Sequence, residues 1–168
     1  MRKARAFTLV EILIVVVLLG ILATTVISMA SGSALSAKES ALATDLGLLR
    51  RFILIYTFHH LEVGPGYPNG QTSATPTEQS FIDQATLVSN STGQTAPVGT
   101  AGFERGPYMQ KMPVNPLNGK SSIQMLGNGE DFPAAADDSH GWIYKAATCE
   151  IRADSAGSDD SGKLYYDY

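Results

Sequence analysis

One cysteine, Cys149, stands in 168 residues, so no disulfide can form within the chain. An excess of positive charge is also lacking: 12 Lys and Arg face 16 Asp and Glu, a formal net charge of −4. Duplex DNA is gripped by clusters of Lys and Arg, so no nucleic-acid partner is expected. Histidines number three. His59 and His60 are adjacent, which is poor metal spacing on a helix, and His140 falls in a loop, so all three read as exposed. No paired carboxylates, Ser-His-Asp set or phosphate-loop pattern is present, and this argues against an enzyme.

What the chain does have is one long apolar run. Residues 7–30 read FTLVEILIVVVLLGILATTVISMA, with Glu11 as the single charged side chain. About 20 apolar residues in a helix span a bilayer, so the run is long enough to be a transmembrane helix. Arg2, Lys3 and Arg5 precede it. Positive charge beside a first spanning helix keeps that end cytoplasmic and sends everything after Ala30 outward. An acid inside such a helix is costly and invites a functional reading, although one near the headgroups is also tolerated when its side chain reaches water. A conventional secretory signal cut after Ser28-Met29-Ala30 is the competing reading and would release a soluble exported protein. Its apolar core would be too long, it would contain Glu11, and the helical pattern runs on past the cut.

Residues 31–60 contain no proline, and Leu35, Leu42, Leu46, Leu49, Ile53 and Tyr56 recur at the helical period with Ala41 and Phe52 beside them. Ser31, Gly32, Ser33 and Gly47 are the weak points. A helix unbroken from Phe7 to His60 would extend about 81 Å. Its first half would be bare apolar surface and its second half would carry a head domain on the stripe. The residues after the run suffice for one domain.

Within the head, residues 62–73 read as loop. Thr75 reads as an N-cap, with Pro76 at the first helical position and Glu78 closing a capping box. That helix is expected from Pro76 to about Val88 with Phe81, Ala85 and Val88 facing the core, and residues 89–102 are turn and loop by composition. In 106–119, GPYMQKMPVNPLNG, three prolines forbid a long regular element, and Tyr108, Met109, Met112 and Leu117 read as apolar pegs. Strands are expected at 122–126, 142–146 and 150–153, the last two as a hairpin, and KLYYDY reads as a last strand or an ordered aromatic tail. The fold class is α+β, a long N-terminal helix packed by its second half against a small antiparallel sheet.

The opening FTLVEILIVVVLLGILA resembles the signature of the type IV pilin and pseudopilin superfamily, in which a short basic leader is cut just before a phenylalanine and a glutamate stands fifth in the mature chain. The resemblance places the cut between Ala6 and Phe7, where the family usually has glycine before the cut. It implies a leader at 1–6, a transmembrane and polymerisation helix at 7–30, and a periplasmic pilin-like head over 31–168. Removing residues 1–6 would take the net charge from −4 to −7. It further implies cleavage and N-methylation at Phe7 by a prepilin peptidase and methyltransferase, and a filament in which Glu11 of one subunit neutralises the Phe7 amine of another. Thr8 beside the amine and Gly20 among the small residues of the run are the other assembly candidates.

The GPYMQKMPVNPLNG segment and the residues around Trp142 are similar to those of major pseudopilins of type II secretion, with Cys149 at a turn position where glycine is usual. That points to a single-pass inner-membrane protein, N-terminus cytoplasmic and head periplasmic, that builds a homo-oligomeric pseudopilus with an inner-membrane assembly platform and minor pseudopilins. A type IV pilus subunit, major or minor, is the nearest alternative, and an exported binding domain behind a conventional signal is a further one. Major pseudopilins hold calcium in a late loop. The clear loop match is missing here, and Asp131, Asp137 and Asp138 are the candidate ligands, with solvated acidic loops as the plain alternative.

Overall fold

The computed structural model describes residues 8–168, with the side chains of 24–32 left aside. The leader, Ala6 and Phe7 therefore lie outside the described residues, as do the side chains of 24–30 at the end of the apolar run. The chain divides into two units, Met1–Lys38 and Glu39–Tyr168.

In the first unit, helix α1 (Leu9–His59) begins. Every large apolar side chain from Leu9 to Leu22 is at least 48% exposed. Among the described residues no helix is long and apolar enough to cross a membrane.

The second unit is built on the rest of α1. Leu42, Leu46, Leu49, Phe52, Ile53 and Tyr56 are all buried, one face of a 3.6-residue period. Leu35, in the first unit, is 43% exposed, so the buried stripe starts later than the apolar spacing. A second helix, α2 (Glu78–Thr86), lays Phe81 and Ala85 into the same core. Its cap is not Thr75 but Thr77, whose hydroxyl oxygen accepts from the Ser80 amide at 3.2 Å. Pro76 thus precedes the helix. The Glu78 carboxylate is drawn away from a capping box to accept the Ile123 amide at 2.8 Å, covering an edge strand.

Two short strands, β1 (Val88–Ser89) and β2 (Thr95–Ala96), pair antiparallel: the expected helix stops at Thr86, so Val88 is strand instead, and Ser89 and β2 fall in the stretch that composition assigns to loop. The main sheet has three strands, β3 (Ile123–Leu126), β4 (Trp142–Lys145) and β5 (Glu150–Ala153). β4 and β5 form the expected hairpin, but β3 runs parallel to β4, with Ile123 opposite Trp142. The expected antiparallel sheet is therefore a mixed one. The physical reason lies in the connection: residues 127–141 are long enough to carry the chain back to the start of β3, which a parallel pair requires.

The tail ends in a 3₁₀ turn, Tyr165–Asp167, that buries Tyr165 and Tyr166. Tyr165 donates its hydroxyl to Glu39 at 2.8 Å. The 106–119 pegs act as expected on burial, since Met109 and Met112 are buried and Tyr108 and Leu117 pack partly buried against the core. Tyr108 reaches the α1 rings of Phe52 and Tyr56, at centroid distances of 5.5 and 5.8 Å.

Candidate functional site

At the start of α1 the geometry is a reciprocal cap. The Thr8 amide and the Thr8 hydroxyl both donate to Glu11 Oε2 at 3.1 Å, and the Glu11 amide donates to Thr8 Oγ1 at 3.2 Å. Thr8 is thus the N-cap and Glu11 the third helical residue of a capping box. Carboxylate charge at this end also meets the positive pole of the helix dipole. The Thr-x-x-Glu spacing is legible in the sequence, but Thr8 reads there as support for an intersubunit contact rather than as the partner Glu11 has within its own chain. A single carboxylate therefore sits at the head of an exposed apolar helix surface. Gly20 lies in the same helix, and a Cβ there would meet nothing within 4 Å. The small surface at Gly20 is open in the single chain.

The acidic residues of the head are held by their own loops. Asp131 is exposed, with its carboxylate 3.7 Å from Lys145 Nζ. Asp137 accepts the Ser139 amide at 2.9 Å, and hydrogen bonds from Ser139 hold its carboxyl below the usual range. Asp138, at a φ of 58°, accepts the Ala156 amide at 3.2 Å. Among the described residues no group of three or more His, Cys, Asp or Glu side chains comes together as a metal site.

The residue that organises this region is Asp154, an acid outside the candidate ligand set that is fully buried. Its carboxylate accepts the amides of Asp137, Asp138 and His140 at 2.9, 3.3 and 2.7 Å and the Ser139 hydroxyl at 3.2 Å. Asn115 and Asn118 complete the stitching. The Asn115 amide donates to the Gly141 carbonyl and the Ser155 hydroxyl, both at 2.8 Å. The Asn118 amide donates to the carbonyls of His140 and Asp154, both at 2.7 Å. The 106–119 segment is thus a clasp on the β4 approach and the β5 exit.

Of the three histidines expected to be exposed, only His59 is. His59 is exposed and pairs with the Tyr108 hydroxyl at 3.1 Å, and His140 is half-buried beside the Ser139 hydroxyl at 2.8 Å. His60 is 2% exposed and stacks on Tyr56 with ring centroids 3.8 Å apart. Neighbours in a helix point about 100° apart, which puts one histidine outside and the next inside. Cys149 is half-buried at a φ of 57°, in the left-handed region that favours glycine, with Sγ 3.7 Å from the Thr57 hydroxyl. A cavity of about 520 Å³ opens beside it, lined by Arg50, Glu150, Arg152, Tyr166 and Tyr168. Within it Arg152 binds Glu150 at 2.7 Å and Arg50 donates to the Tyr168 carbonyl at 2.6 Å, and Asp167 also lines the opening.

No curated protein and no solved structure matches the chain. Residues 1–27 match the family model described as the prokaryotic N-terminal methylation motif. That motif contains the Thr8–Glu11 box, and it implies processing by a prepilin peptidase, a membrane anchor and assembly into a filament. The N-terminus is that of a type IV pilin-like protein of the prepilin type.

Proposed function

We propose that this chain is a pseudopilin of a bacterial type II secretion system, a structural subunit with no active site of its own. The observation that carries the reading is the Glu11 carboxylate at the first turn of an exposed apolar helix, within the methylation motif. In this reading the leader peptidase cuts between Ala6 and Phe7, and the new amine of Phe7 is methylated and stays positive. The 7–30 segment holds the subunit in the inner membrane, head outward in the periplasm, until it joins the filament. A carboxylate among apolar helices needs an opposite charge, and the Phe7 amine of a neighbouring subunit supplies it. The Thr8 hydroxyl and amide are neutral donors that hold the carboxylate while it waits, leaving its charge for the neighbour. Pairing then sets axial register, and Gly20 lets helices approach closely in the bundle. Subunit addition at the assembly platform lengthens the fibre, with minor pseudopilins as its further partners, and the lengthening fibre drives export.

The 106–119 clasp supports secretion over a pilus, because it is the segment that is similar to major pseudopilins. The lone cysteine weighs the same way, since type IV pilins commonly close a C-terminal loop with a disulfide. Deleting the protein from its cell tests the choice. Loss of extracellular enzymes with surface fibres intact supports the secretion reading, whereas loss of twitching, adhesion or DNA uptake with secretion intact replaces it with the pilus reading.

A further inference from the structure

The resemblance to major pseudopilins implies a calcium ion in a late loop of the head. Calcium takes about six to eight oxygens pointed at one spot, so a loop built for it turns carbonyls and carboxylates inward. The late loops of this chain turn N–H groups inward instead. The amides of Asp137, Asp138 and His140 and the Ser139 hydroxyl converge on the Asp154 carboxylate, two donors to each oxygen. An aspartate can serve a backbone N–H and a cation together when one of its oxygens is left over. Asp154 has none left, since an oxygen with two donors has both lone pairs engaged. Asp159 is used in the same way. Its Oδ1 accepts the Ser161 amide at 2.8 Å, the Ser161 hydroxyl at 2.6 Å and the Lys163 amide at 3.0 Å, and its Oδ2 accepts the Tyr168 hydroxyl at 2.7 Å.

The carbonyls of the same loop are engaged too. Lys120 Nζ donates to the carbonyls of Asp138 and Ser139 at 2.8 and 3.1 Å, so an ammonium already stands where a loop cation would draw them. The next two carbonyls, of His140 and Gly141, accept the side-chain amides of Asn118 and Asn115. Asp137 and Asp138 each give an oxygen to a backbone amide, and Asp131 faces Lys145. Among the described residues no three His, Cys, Asp or Glu side chains gather at one point. The donor set of these loops therefore does not fit calcium. We infer that Asp154, Asp159 and Lys120 are fixed ions of the head that take the place of a bound calcium, so that the late loops close and the head folds without the metal. Converging backbone N–H groups make a concavity for an anion, and here the chain fills it with its own carboxylates. The inference concerns the head alone and stands whether or not the chain builds a pseudopilus.

Thermal melts of the full chain in detergent micelles, one set in EDTA and one in calcium chloride, test it beside a calorimetric titration with calcium chloride alone. The two wild-type melts are expected to coincide, and the titration to show no saturable binding. A ligand that binds only the folded head raises its melting temperature, so saturable binding with a rise of several degrees overturns the inference. Asp154→Asn and Asp159→Asn keep the side-chain shape but set an NH₂ group among converging donors. Each is expected to melt several degrees below the wild type, by the same amount in both buffers. Calcium ligands behave otherwise. Neutralising one in an unfilled acidic site leaves stability in EDTA equal or higher, and the loss shows only with calcium present. That pattern in either variant overturns the inference. Should Asp154→Asn fail to fold, Asp159→Asn and the wild-type comparison decide.

Discussion

Asp154 and Cys149 carry opposite lessons about single residues. Asp154 is a buried carboxylate whose worth comes from accepting four hydrogen bonds at once from residues 137–140. Asp154→Ala is expected to cost on the order of 3 kcal/mol in urea unfolding, because hydrogen bonds to carboxylates are the strong ones and four of them are lost together from a fully buried position. Cys149 works against its own backbone, at a φ of 57°. Cys149→Gly is expected to be at least as stable as the wild type and about 1 kcal/mol more stable than Cys149→Ala, since alanine keeps the strain and loses the thiol contact. Equal stability of the two variants would show that the turn is unstrained. The Cys149 position is legible from the hairpin pattern, because a tight turn between two strands calls for glycine there. Asp154 is not, since an acid reads as solvated until the fold surrounds it.

At the scale of elements, the face of α1 matters more than its composition. Leu46 is 1% exposed and Leu54 is 71% exposed, eight residues apart in one helix. Leu46→Ala is expected to destabilise the head by about 2–5 kcal/mol, as large-to-small core changes do, and Leu54→Ala to stay within about 0.5 kcal/mol. Paired thermal melts check this. The same rotation separates His59 from His60, a distinction the apolar stripe already contains, because His60 follows Tyr56 by four residues. The β4–β5 hairpin is readable from its alternation and turn. The direction of β3 is not, because two short strands with a long link between them pair either way until residues 127–141 take their path through the fold.

For the whole molecule, acid should act in two stages. The His60 pKa is lowered in the fold, so the unfolded chain takes up its proton more readily. Stability from this group is whole above the ordinary histidine range, about pH 6.5, and falls as pH drops below it. Asp159 is held at about 2 by the Ser161 and then the Tyr168 hydroxyl, against an ordinary value of 3.8. Its contribution is present above pH 3.8 and is lost as pH falls toward about 2. Melting temperatures across this range should step down twice, and His60→Gln should remove the first step alone. In assembly, Glu11→Ala is expected to leave leader cleavage intact while filament yield falls by about tenfold or more, the cost of losing an ion pair between apolar helices. Thr8→Val, which removes one neutral donor, should assemble far better than Glu11→Ala. Wild-type polymer from Glu11→Ala would remove the ion-pair account. Electron microscopy of sheared fibres and cross-linking read both.

By itself the sequence determined the long helix, the apolar stripe that seats the head, the β4–β5 hairpin and the Thr8-to-Glu11 spacing at the N-terminus. Each depends on residues near in the chain, where period, cap chemistry and turn chemistry are local. Only the tertiary structure decided that β3 runs parallel, that Asp154 is a buried anchor, and that His60 is buried with Nε2 2.9 Å from the Ser89 hydroxyl. Those depend on partners tens of residues away, and burial changes what an acid or an imidazole does only once distant chain has closed over it.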